Sequence, residues 1–179
     1  MSDVTCVEFH PNIHYLATGS SDNQVRLWVM QTGEIVRTMF TVAGAVRSLK
    51  FTRAGSHLLA GNEYGQVVFF DLVLGVALDI IQTCQQRAVW SIDVSWDDSL
   101  IAIGTELSSI ELYSLKILLK QTKKPEEQRP TLPTKNSLQR SPSPAFLKCY
   151  HTKMNGVLVA QFSWRNFLTT IGCVEKAFN

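Results

Sequence analysis

The sequence has little of what usually announces chemistry. Only four cysteines occur in 179 residues, Cys6, Cys84, Cys149 and Cys173, and none forms a Cys-x-x-Cys pair. Neither a zinc-ligand pattern nor a small disulfide framework follows from that spacing, which points to a reducing intracellular compartment. No apolar run approaches the ~20 residues that span a bilayer, and the N-terminus lacks the basic-then-apolar order of a secretory signal. His10, His14, His57 and His151 have no zinc-type spacing with the cysteines, and they are read as structural or solvent-facing. Cys149 lies two residues from His151, but nothing supplies the third, orienting group of a nucleophilic site, so strand packing is the better reading. No glycine-rich phosphate loop is present. These absences leave no catalytic, cofactor-binding or metal-ligating residue to assign.

Charge is also scarce and uneven. The chain carries 17 basic and 15 acidic residues, a net charge of +2. Eight of the basic residues fall between Lys116 and Lys148, against Glu126 and Glu127, so that stretch is +6 and the remainder is −4. A mildly acidic body lacks the basic stripe that follows a phosphate backbone, and direct nucleic-acid binding is not expected.

What is present is a repeat. Val4-Thr-Cys-Val-Glu-Phe9 aligns with Val46-Arg-Ser-Leu-Lys-Phe51, Val89-Trp-Ser-Ile-Asp-Val94 and Val157-Leu-Val-Ala-Gln-Phe162. Ten residues beyond each comes a glycine, Gly19, Gly61, Gly104 and Gly172. Three copies continue into a short apolar run ending in an aromatic, at Trp28, Phe70 and Tyr113, with steps of 42 and 43 residues. Runs of four to six β-branched and aromatic residues between turns such as Pro11-Asn12, Ala54-Gly55 and Asp97-Asp98 predict antiparallel strands. In the first copy these fall near Val4 to Phe9, Tyr15 to Gly19, Val25 to Val29 and Glu34 to Phe40. A four-stranded unit of this size cannot bury both faces alone, and a period near 40 suits radial stacking into an all-β propeller.

Phe9-His-Pro, Leu16-Ala-Thr-Gly-Ser-Ser-Asp22 and Val25-Arg-Leu-Trp28 resemble a WD repeat. In that family a turn aspartate, a Trp-Asp pair and an upstream Gly-His form a hydrogen-bonded network, which makes Asp22 and Trp28 structural here. The later copies depart from the pattern. Asp22 is matched by Tyr64 and Leu107, Trp28-Val29 by Phe70-Asp71 and Tyr113-Ser114, and the Gly-His positions hold Thr41-Val42 and Cys84-Gln85. The expectation is that the polar network is eroded and that apolar packing holds these blades. Toward the end of the chain, Tyr150-His-Thr-Lys153 and Phe162-Ser-Trp-Arg-Asn-Phe-Leu168 are similar to the closing segment of the propeller in the TFIID subunit 5 family and its SAGA-type paralogue. Those proteins also carry an irregular insertion just before it.

The resemblance implies a seven-bladed propeller, a nuclear location and a non-catalytic scaffold in a transcription initiation complex, holding a histone-fold pair of subunits. An adaptor such as a ubiquitin-ligase substrate receptor is the alternative. About three and a half blades are expected, over 4–40, 46–82, 89–150 and 157–173, a partial ring. Met1 falls at the start of a blade, which favours a truncated chain, and the open ends of the ring should expose apolar faces that drive association. Residues 117–147 are read as a disordered Pro/Ser/Lys-rich insertion within the third blade, with Ser141 and Ser143 in Ser-Pro pairs as phosphorylation sites and Lys123-Lys124-Pro125 as an import signal. Partner contacts are expected at strand ends, on Arg47, Glu63, Tyr64, Arg87 and Trp90.

Overall fold

The structure is a computed structural model that describes residues 2–122, 143–152 and 156–173. It consists of antiparallel sheets laid out in chain order. Sheet 1 holds β1 (Val4–Phe9), β2 (Tyr15–Ser20), β3 (Gln24–Val29) and β4 (Ile35–Phe40), and sheet 2 holds β5 (Val46–Phe51), β6 (His57–Asn62), β7 (Gln66–Asp71) and β8 (Val76–Gln82). Sheet 3 holds β9 (Val89–Val94), β10 (Leu100–Thr105), β11 (Ser109–Ser114) and β12 (Phe146–His151), and a hairpin of β13 (Gly156–Phe162) and β14 (Leu168–Cys173) follows. β1 packs beside β5, β5 beside β9 and β9 beside β13, so the first strand of every unit lies innermost. This is a partial propeller.

Sheet 2 and the strands β9 to β11 of sheet 3 have neighbours on both faces, which is why they read as nearly continuous apolar runs, whereas β12 is largely exposed. One core lies between sheets 1 and 2, with Val25, Leu27 and Met39 against Leu49, Phe51 and Phe70. A second lies between sheets 2 and 3, with Val67, Phe69 and Ile81 against Val89, Ile92 and Ile103.

The recurring glycine follows from the approach of one sheet to the next. A Cβ on Gly19 would stand 2.6 Å from Val46 Cγ1, one on Gly61 2.6 Å from Val89 Cγ1, and one on Gly104 2.8 Å from Val157 Cγ1. Each glycine therefore admits the first valine of the following inner strand. The same inner strands are tied across the gap: Ser48 Oγ donates to Val89 O at 3.1 Å, Ser91 Oγ donates to Ala160 O at 3.3 Å, and Thr5 Oγ1 donates to Val46 O. The expected fourth copy is corrected: the turn of the last hairpin is one residue shorter, so Gly172 pairs with Val157 as Asn62 pairs with Val46, and Ile171 stands at the register of Gly61.

The turns between first and second strands repeat as well. Ile13, Gly55, Asp98 and Asn166 occupy equivalent positions, all left-handed, with φ of 64°, 72°, 50° and 59°. Three of these turns are latched to the preceding sheet. His10 Nε2 lies 2.8 Å from Gly55 O, Arg53 and Ala54 N–H groups donate to the Asp98 carboxyl, and Trp96 N–H donates to Asn166 Oδ1 at 2.7 Å.

The insertion begins later than the sequence composition indicated. Instead of disorder from residue 117, Leu115–Thr122 forms a helix, α1. Leu115 and Leu118, one helical turn apart, are buried with Ala145 in the core between sheets 2 and 3. The Lys-rich composition concealed this apolar stripe. At the far side, Ser143 Oγ accepts the Ala145 N–H and Phe146 begins β12, so the expected disorder is also corrected there. Ser141, the Lys123-Lys124-Pro125 segment and the rest of 123–142 lie outside the described residues.

Candidate protein-interaction site

Antiparallel alternation sends the turns after β2, β6 and β10, together with the links between sheets, to one end of the inner strands. At that end a cavity of about 660 Å³ opens, lined by Thr5, Arg47, Glu63, Tyr64, Ala88, Trp90 and Glu106. Thr5, Arg47 and Trp90 are the second residues of β1, β5 and β9, so the repeat itself brings three unlike side chains to one mouth. Glu63, Tyr64 and Glu106 come from the turns after β6 and β10.

Glu63 is anchored. Its Oε1 accepts the Ala45 N–H at 3.1 Å, and its Oε2 faces Arg47 Nη2 at 3.5 Å. Half of the Arg47 side chain stays in water, so this pair contributes little stability and leaves the guanidinium available. Trp90 is 47% exposed and Tyr64 55% exposed. Trp90 therefore does not fill the gap between blades; Ser91 and Val89 face that gap. Of the five residues singled out in the sequence, Arg47, Glu63, Tyr64 and Trp90 share the cavity. Arg87 does not line it, but lies exposed beside the lining residue Ala88, with its backbone N–H packed against Gly65. Tyr64, Trp90 and Arg47 are of the side-chain types that anchor protein interfaces. Glu106 and Thr5 were missed because single-residue inspection gives no sign that two turns and three strands meet there.

Below the mouth, one ammonium joins three sheets. Lys50 Nζ on β5 lies 3.0 Å from Glu8 on β1 and 3.2 Å from Asp93 on β9. Burial works against the Lys50 charge, but Glu8 and then Asp93 outweigh it, so its pKa is raised and the group stays protonated.

The hydrogen-bond network of the turns is rebuilt rather than lost. Asp22 Oδ1 accepts the Gln24 N–H at 3.2 Å, and Oδ2 pairs with Arg26 Nη2 at 2.8 Å. The Arg26 contact holds this carboxyl well below the ordinary carboxylate range. Trp28 Nε1 donates to Thr18 Oγ1 at 2.9 Å. In sheet 2 the acceptor has moved two residues upstream, where Asn62 Oδ1 takes the N–H groups of Tyr64 and Gln66 at 3.0 and 2.9 Å. In sheet 3, Glu111 is completely buried, accepting the Cys84 N–H at 3.0 Å and Tyr113 OH at 2.6 Å. Gln85 Oε1 accepts Ser109 Oγ at 3.1 Å beside it. These bonds stand beside the apolar cores between the sheets, in place of the Gly-His and Trp-Asp pairs that the later copies lack.

The same surroundings bear on reactivity. Burial pushes the thiols of Cys6, Cys84 and Cys149 up, with Glu111 adding to the effect at Cys84 and Cys149. These groups are kept as thiols, the opposite of nucleophile activation. Among the described residues no group of three His, Cys, Asp or Glu side chains could hold a metal ion, and no helix is long and apolar enough to cross a membrane.

Comparison with known proteins agrees with this geometry. Residues 1–29 match the WD domain, G-beta repeat family. The chain contains a WD repeat. It is 29% identical to Transcription initiation factor TFIID subunit 5 of Caenorhabditis elegans over 171 residues, 96% of this chain and 26% of that relative. It is 25% identical to U3 small nucleolar RNA-associated protein 12 of Saccharomyces cerevisiae over 65% of this chain and 12% of that relative. Over 32% of the chain, it is 47% identical to Eukaryotic translation initiation factor 3 subunit I of Aspergillus oryzae, covering 17% of that protein. The chain spans about a quarter or less of the length of these three relatives.

Proposed function

We propose that this chain is a non-catalytic scaffold of a TFIID- or SAGA-like transcription initiation complex, working in the nucleus and holding a histone-fold pair of subunits at the mouth lined by Arg47, Glu63, Tyr64 and Trp90. The observation that carries the reading is the similarity to TFIID subunit 5, because it runs along 96% of the chain, sheets and insertion included. The cavity supports it by offering exposed aromatic and charged side chains on a rigid set of inner strands. The raised thiol pKa values speak against covalent catalysis by Cys6, Cys84 and Cys149. Direct binding of nucleic acid has no part in the proposal, since the body outside 116–148 carries −4.

Co-expression with histone-fold subunits followed by affinity capture tests it. Wild-type chain should retain the pair, while Arg47→Glu and Trp90→Ala should each weaken capture roughly tenfold or more, the scale of an interface anchor. Circular dichroism should show both variants folded, since each side chain is about half exposed. A wild-type chain that ignored the pair and captured a ubiquitin-ligase core would favour the adaptor reading. Unchanged capture by both variants would move the contact surface away from this mouth.

A further inference from the structure

The end of the molecule opposite the mouth carries the turns between first and second strands, and three large aromatic side chains stand out from two of them. Trp96 in the β9–β10 turn is 55% exposed, and Trp164 and Phe167 in the β13–β14 turn are 66% and 70% exposed. Exposed apolar residues scattered singly are ordinary, but these lie on turns bonded to each other, since Trp96 N–H donates to Asn166 Oδ1 at 2.7 Å. Position in the sheet is not the cause of the exposure. Strand β9, which leads into Trp96, packs between β5 and β13, yet more than half of Trp96 faces water.

A guanidinium lies on each tryptophan. Arg53 Cζ stands 4.1 Å from the centre of the Trp96 ring, and Arg165 Cζ 4.3 Å from that of Trp164. Arg53 and Trp96 hold the same place in successive turns, so the repeat itself generates the first stack. Stacking restricts both side chains and orders the aromatic surface before a partner arrives. The carboxylates of the turn between them are engaged elsewhere. Asp98 accepts the N–H groups of Arg53 and Ala54, and Asp97 Oδ1 accepts the Ser95 and Ser99 hydroxyls, each at 2.7 Å. Among the described residues neither Arg53 nor Arg165 forms an ion pair with a carboxylate. Each guanidinium thus covers a ring with its face and leaves its N–H edge for an incoming carboxylate.

We infer that this face docks an acidic, apolar segment of a protein partner, its carboxylates meeting Arg53 and Arg165 and its apolar side chains lying on Trp96, Trp164 and Phe167. It is a second surface, separate from the mouth. Tryptophan and arginine are the residue types that most often anchor a protein interface. A nucleic-acid strand fits less well, because Asp97 and Asp98 sit in the turn between those of Arg53 and Arg165 and would oppose evenly spaced phosphates. A peptide in which two acidic residues alternate with two apolar ones avoids this, since each face of the extended chain then carries both kinds.

Fluorescence anisotropy of a labelled peptide, three repeats of Glu-Asp-Leu-Phe, titrated with the 179-residue chain tests it. The unmodified chain should bind this peptide, and should bind the neutral counterpart built on Gln-Asn-Leu-Phe roughly tenfold more weakly. Arg53→Gln, Arg165→Gln and Trp96→Ala should each weaken binding of the acidic peptide roughly tenfold, the scale of an interface anchor. All three side chains are exposed, so circular dichroism should show the variants folded. Arg165→Lys keeps the charge but not the planar stack, and should recover part of the loss seen with Arg165→Gln. Failure of the unmodified chain to bind, equal binding of the neutral counterpart, or unchanged binding by the three variants overturns the inference. So does a preference for single-stranded oligouridine over the acidic peptide, which would make the face a nucleic-acid surface.

Discussion

Glu111→Ala should be the most damaging single substitution in the sheets, lowering unfolding free energy by ~3–5 kcal/mol and shifting the urea midpoint accordingly. Glu111 is completely buried and accepts both the Cys84 N–H and Tyr113 OH. Truncation leaves the buried Tyr113 hydroxyl unpaired at ~1–3 kcal/mol, frees the part-buried Cys84 N–H, and adds a cavity beside Tyr113. Glu111→Gln, which keeps an acceptor oxygen, should lose less than half as much. Tyr113→Phe removes one donor and should fall between the two. Should Glu111→Ala melt within ~1 kcal/mol of wild type, this cluster is not what ties the link after β8 to β11.

Gly61→Ala should cost ~1–3 kcal/mol by overpacking, although glycine-to-alanine is ordinarily mild or favourable in a strand. A Cβ at this position would lie 2.6 Å from both Ser48 Oγ and Val89 Cγ1 and 2.8 Å from Val89 Cβ. Ser48 Oγ cannot swing away freely because it donates to Val89 O. The neighbouring sheet must therefore shift. Adding Val89→Ala supplies room, so the double variant should be less destabilised than the sum of its singles by ~1 kcal/mol, a coupling that a double-mutant cycle isolates. Strict additivity of the two would place the strain elsewhere.

Most of the strand plan could be read in advance, because alternation and β-branched runs state it locally. The first sheet was expected from Val4 to Phe40 and is found there, each boundary within one residue. The glycines at 19, 61 and 104 were legible as a period, but their cause was not, since the colliding valine lies a full unit away in sequence. Column-by-column comparison also misread the turns. Tyr64 at the Asp22 position looked like a lost acceptor, yet Asn62, two residues earlier, performs the same bonding. Glu111 was overlooked because its repeat equivalents Arg26 and Val68 carry no hint of an acidic site. Helix α1 was hidden by pooling Leu115 and Leu118 with a lysine-rich tail, where composition outweighed spacing. The mouth residues came closer, because strand ends are where side chains escape blade packing. Their convergence depended on the stacking of three inner strands.

The position of α1 has a bearing on how the units open. In sheets 1 and 2 the outer strand follows its neighbour after short links, residues 30–34 and 72–75, whereas β12 pairs with β11 only after residues 115–145. Closing the longer connection costs ~1.5 kcal/mol more in chain entropy. Leu115 and Leu118 return some of that by burial in the core between sheets 2 and 3. Amide protons of β12 should therefore exchange with solvent well before those of β4 and β8, while β5 and β9, flanked on both sides, should exchange last. The outer edge of the third sheet is in this sense a separate opening unit, able to detach and return while the inner strands and the mouth they form stay in place.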